Sequence, residues 1–184
     1  LAPRHATIRR VILLGPTHRV AVDGLAAPKS GAFATPLGSI ALDTAALARL
    51  TDLPQVVFSD HAHAQEHSLE VHLPFLQRVL DDFTLVPLAV GHATPLDVAE
   101  VLDLLWGGPE TLIVISSDLS HFLPYAAANQ VDRDTCQHIL QLDTDIRPEQ
   151  ACGAYPINGL LLAARRRGLA PQLIHRCNSG DTAG

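Results

Sequence analysis

The chain has 184 residues, 47% of them apolar and 17% charged, with a mean hydropathy of +0.18. That is enough for one buried core without disulfides or a structural metal, and it excludes a disordered tail. The net charge is −6, lysine occurs once (Lys29) and the sole basic cluster is Arg165-Arg166-Arg167. Such a charge distribution argues against nucleic acid as a partner, and no apolar run is long enough to span a membrane.

In chain order, Val11-Ile12-Leu13-Leu14 is a wholly apolar run that stops at Gly15-Pro16 and reads as a strand buried on both faces. Asp43 is placed to cap a short helix from Thr44 to Leu50, and Val56-Val57-Phe58 reads as a second strand. Leu69, Leu73, Leu76 and Leu80 recur at helical spacing, with Pro74 set to kink or restart that helix. Leu85 to Val90 is a third strand. Thr94-Pro95 opens a helix whose stripe is Val98, Val101, Leu102 and Leu105, and Gly107-Gly108-Pro109 ends it. Leu112 to Ile115 is a fourth strand. Helical patterns follow at 129–141 and 156–167, the second ending in the three arginines, and Leu173-Ile174 reads as a last strand. This alternation predicts an α/β fold, a mostly central sheet with helices on both faces.

The cysteines, Cys136, Cys152 and Cys177, are odd in number and form no C-x-x-C pair, so reduced thiols and a cytoplasmic location are expected. The chain starts at Leu1, contains no Met and ends in a Ser-Gly-Asp-Thr-Ala-Gly stretch that reads as a loop. We expect one domain over residues 1–184, truncated at both ends.

In such sheets, sites gather beyond the carboxyl ends of the strands. The first strand runs into Gly15-Pro16-Thr17-His18 and the fourth into Ser116-Ser117-Asp118-Leu119-Ser120-His121. Asp118 and His121 are three apart on a turn, a spacing that fits either a shared metal or proton-transfer role or simple capping of the next segment. A second cluster holds His61, His63, Glu66, His67, Glu70 and His72, but its spacing is not that of a zincin. His61 and His63 read as a solvated loop. His67 and Glu70 share a helical face and read as groups that orient a ligand or move a proton. Cys152 precedes a helix start, where the dipole favours an anion; it is a candidate ligand or nucleophile, or a small buried residue. Cys136 sits within a helical pattern and reads as packing.

Four strings carry a family resemblance. Leu14-Gly15-Pro16-Thr17-His18-Arg19, Glu66-His67-Ser68-Leu69-Glu70-Val71-His72-Leu73-Pro74-Phe75, Val114-Ile115-Ser116-Ser117-Asp118-Leu119-Ser120-His121 and Cys152-Gly153-Ala154-Tyr155-Pro156-Ile157 resemble, in this order, the MEMO-like family. Its bacterial and archaeal members are also called AmmeMemoRadiSam system protein B. The resemblance implies a fold similar to class III (LigB-type) extradiol dioxygenases and a metal pocket of the non-heme-iron kind. It implies His18 and Cys152 as metal ligands and Asp118 and His121 as polar residues lining the same pocket; His67 matches a further feature of the family pattern, and Asp118, His121 and His67 are the candidate catalytic residues. Fe(II) is the expected metal, with copper or zinc as alternatives. The family's other ligand histidine lies in a Pro-His-Ala-Gly motif upstream of Leu1, so poor metal retention by this chain alone is expected.

Three functions follow as expectations: a redox-active metalloprotein acting on a small molecule, a non-catalytic adaptor that binds a peptide or small ligand, and an extradiol-type dioxygenase or metal-assisted hydrolase.

Overall fold

A computed structural model describes residues 5–182. The elements are β1 (Arg10–Pro16), β2 (Leu25–Ala27), β3 (Ala32–Thr35), β4 (Gly38–Ala41), α1 (Thr44–Ala48), β5 (Val56–Phe58), α2 (Asp60–Ala64), α3 (His67–Glu70), α4 (Leu73–Val79), β6 (Thr84–Val90), α5 (Pro95–Leu105), β7 (Thr111–Ile115), α6 (Tyr125–Leu140), α7 (Ala154–Arg166) and α8 (Ser179–Thr182). Five strands form one sheet in the order β5-β2-β6-β1-β7. β1 runs parallel to both β6 and β7, and β2 runs antiparallel to β6. Helices flank the sheet, as the alternating pattern predicts. No helix is long and apolar enough to cross a membrane among the described residues.

The core follows from the apolar runs. Val11, Ile12, Leu13 and Leu14 are fully buried, as are Leu85 and Leu88 on the neighbouring strand. A central parallel strand is covered on both faces, so it carries no alternation. The leucine stripe 69, 73, 76 and 80 is buried throughout, but the helix is broken into α3 and α4, with Pro74 in the first turn of α4. Asp43 caps α1, accepting the Ala46 N–H at 2.9 Å and an Arg10 N–H at 2.7 Å. Thr94 and Asp97 cap α5 reciprocally. The arginines close α7: Arg166 and Arg167 both donate to Asp103 on α5, and the Arg167 guanidinium lies 3.8 Å from the centre of the Trp106 ring.

Three strands lie where the sequence pattern predicts none, and three expectations are corrected. β2, β3 and β4 carry no long apolar or β-branched run, and their pairing partners, not their local sequence, make them strands. His61 and His63 lie on α2, not in a loop, because Ser59 caps that turn by accepting the Ala62 N–H. Leu173-Ile174 is not a strand: among the described residues nothing pairs with it, and Ile174 is 91% exposed. Residues 179–182 form the short helix α8 rather than a loop, with Asn178 accepting the Gly180 N–H at its start.

Candidate functional site

Two chain segments meet at one end of the sheet. β1 and β7 are parallel neighbours, with Leu14 opposite Ile115, and the Ser116 N–H extends the ladder to the Leu14 carbonyl at 2.7 Å. The segments carrying His18 and Asp118–His121 therefore leave adjacent strands at the same carboxyl end, where an α/β crevice forms.

The first half of the site is built on β1 and α3. Gly15 lets α3 come close: a Cβ at this position would sit 2.8 Å from Ser68 Oγ and 2.9 Å from Leu69 Cδ2. Ser68 Oγ then donates to the Pro16 carbonyl at 2.8 Å. This docking delivers Glu66, the residue before α3, to His18. Glu66 Oε2 accepts the His18 backbone N–H at 2.5 Å, and Oε1 lies 2.8 Å from His18 Nδ1. Oε1 also accepts the Ser68 N–H at 3.0 Å, so the carboxylate caps its own helix. Its side chain is 1% exposed. Burial pushes the Glu66 pKa up, but the N–H groups of His18 and Ser68 outweigh it and bring the group down to about 2. The His67 ring stacks on His18, with centroids 4.8 Å apart and planes 22° from parallel.

The second half is built on the end of β7 and the start of α7. Asp118 N–H donates to Cys152 Sγ at 3.2 Å, and Cys152 N–H donates to the Asp118 carbonyl at 3.3 Å. Gly153 fits against β7 because a Cβ there would lie 2.6 Å from the Ser116 carbonyl oxygen. Its N–H donates to Ser117 Oγ at 2.9 Å. His121 Nε2 is 3.5 Å from Asp118 Oδ2, an exposed pair. His72, between α3 and α4, ties the halves together: its Nε2 is 2.9 Å from the buried Ser116 hydroxyl.

His18 and His67 are thus in contact, and Cys152 and His121 each meet Asp118 in a second constellation at the same end of the sheet. Ligand atoms of His18, Glu66 and His67 all lie within 4.8 Å of one another; Cys152, Asp118 and His121 belong to no such group among the described residues. Two imidazoles beside a carboxylate are a donor set that suits a divalent transition metal. Glu66 already accepts two backbone N–H groups and faces His18 Nδ1, however, which leaves the outer imidazole nitrogens as the free ligand atoms. Cys136 is buried, with its thiol pushed up by burial, in keeping with packing.

Glu66, His72 and Ser116 stand in the sequence clusters, but the sequence assigns none of them a role. The carboxylate expected to work beside His67 is Glu70, yet Glu70 is exposed and lines a cavity of about 420 Å³ with Phe33 and His63. A four-residue helix points successive side chains in different directions, so adjacency to β1 selects Glu66.

A sequence profile described as "Memo-like protein" matches residues 3–184. The chain belongs to the Memo-like family. It is 33% identical over 189 residues to a MEMO1 family protein of Sulfolobus acidocaldarius, covering 95% of this chain and 66% of that one. A MEMO1 family protein of Saccharolobus islandicus is 34% identical over 190 residues, with the same coverage. The Memo-like chain thus spans just under two thirds of the length of these relatives. Its fold is shared with an uncharacterized protein of Escherichia coli K12 whose crystal structure superposes with a TM-score of 0.56, at 16% identity, over 83% of this chain and 75% of that one.

Proposed function

We propose that this Memo-like chain carries most of a metal pocket of the non-heme-iron kind, with His18 and Cys152 as protein ligands and Fe(II) as the metal. The observation that carries the reading is the His18 ring. It sits at the carboxyl end of a central strand, with Nδ1 against a buried carboxylate and a second imidazole stacked on it. Metal-binding histidines ordinarily hold such a carboxylate with one nitrogen and present the other. Cys152 supports the reading by lying at the same end of the sheet, on the segment that starts α7. A bound metal would supply redox chemistry toward a small oxidisable molecule.

The protein's own groups have separate tasks. His18 binds. The exposed pair of His121 and Asp118, with Nε2 3.5 Å from Oδ2, passes protons between the pocket and solvent. His67 closes one side of the His18 ring.

The test is metal analysis of the full-length protein, purified without oxygen or chelator. Stoichiometric iron that is lost in His18→Ala and Cys152→Ser supports the proposal. Copper keeps a redox pocket but changes the metal, zinc favours activation of a bound water, and a metal-free protein in every preparation overturns it in favour of a binding module.

A further inference from the structure

We propose that Glu66 is the positioning residue of the pocket: it holds the His18 imidazole with Nδ1 protonated, so that Nε2 is the only nitrogen free to take a ligand. The inference rests on the metal reading for what Nε2 binds, but not for the tautomer itself.

The geometry is a two-point clamp on one residue. Oε2 takes the backbone N–H of His18 and Oε1 faces its ring Nδ1, so main chain and side chain are fixed by the same carboxylate. An ionised carboxylate only accepts hydrogen bonds, so the nitrogen 2.8 Å away must be the donor. Glu66 cannot swing out to act as a ligand at no cost: Ser68 N–H also binds Oε1, and the side chain is 1% exposed. The stacked His67 ring hinders a flip of His18 that would bring Cδ2 to the carboxylate in place of Nδ1. The clamp is carried by α3, which is itself pinned to β1 by the Ser68–Pro16 bond and the close approach at Gly15. A carboxylate 48 residues away in sequence thereby sets the direction of His18.

The experiment reads the ring nitrogens directly. Two-bond ¹H–¹⁵N correlation spectra of the metal-free full-length protein, at mildly alkaline pH, should show His18 as the Nδ1–H tautomer. Finding Nε2–H in the wild type overturns the proposal whatever any variant does. In Glu66→Gln the amide can accept from only one of the two His18 donors. His18 should then lose its single tautomer, and Co(II) affinity, followed by visible absorption, should fall about 10- to 100-fold. Glu70→Gln, altering an exposed neighbour, should change neither readout. The two readings fail separately. A wild-type Nδ1–H tautomer with no Co(II) binding leaves the clamp and removes the metal; tight Co(II) binding unchanged in a folded Glu66→Gln leaves the metal and removes the clamp.

Discussion

His72 Nε2 lies 2.9 Å from the hydroxyl of Ser116, joining the break between α3 and α4 to the first residue beyond β7. Ser116 is 7% exposed and His72 half-buried, so loss of this contact leaves a partly shielded imidazole nitrogen short of a partner. Ser116→Ala should cost about 1–2 kcal/mol of stability in urea unfolding. An unchanged unfolding midpoint would mean that water replaces the hydroxyl.

His63 makes stability sensitive to acid. Its Nε2 faces the Ala26 carbonyl at 3.0 Å and must donate, while its Nδ1 is buried without a partner. Burial holds its pKa below the ordinary 6.5, against the opposing pull of the Ala26 carbonyl and of Asp60 and Glu66. The unfolded chain therefore binds the proton more readily than the folded one. Stability is complete above 6.5, falls as pH drops below that value and levels off below the folded pKa. Burial shifts His72 in the same direction, with Asp118 opposing. Melting temperatures measured from mildly alkaline to mildly acidic pH should decline through this window, and less steeply in His63→Gln. An identical slope in the variant would remove His63 as the source.

Gly159 on α7 is where that helix crosses α5. A Cβ there would lie 2.2 Å from Val98 Cβ and 2.3 Å from its Cγ1. Alanine improves helix propensity by about 1 kcal/mol, but overpacking costs about 1–3 kcal/mol, and a Cβ cannot rotate away. Gly159→Ala should therefore destabilise the protein in urea unfolding. Val98→Ala should not rescue it, because the opposing Cβ remains. Rescue by Val98→Ala would place the conflict at Cγ1 alone.

The three cysteines should separate on alkylation read by peptide mass. Cys177 is exposed, Cys152 is half-buried and Cys136 is buried with its thiol pushed up by burial. Cys177 should label first and Cys136 last in the metal-free protein. If Cys152 is a ligand, metal should slow its labelling and chelator restore it, with Cys136 unaffected. Equal Cys152 rates with and without metal would separate the thiol from the metal site.

The buried strands, the helix caps and the family are legible in the amino-acid pattern alone. Val11–Leu14 and Leu85–Val90 are apolar without alternation because both faces are covered, and Asp43 and Thr94 announce helix starts through bonds to backbone three residues away. His18 and Asp118–His121 were legible as site candidates because each follows such a strand. Tertiary structure alone decided what sequence-local physics does not encode. β2 is a strand because β5 and β6 lie beside it, and Leu173-Ile174 is not one because no ladder reaches it. The same holds at the site. Glu66 and Glu70 are both carboxylates on one short segment, and only the docking of α3 onto Gly15 and Pro16 decides which meets His18. Hydrogen bonds and close packing act over a few ångströms, and residues 48 apart come within that range only once the sheet and its helices are assembled.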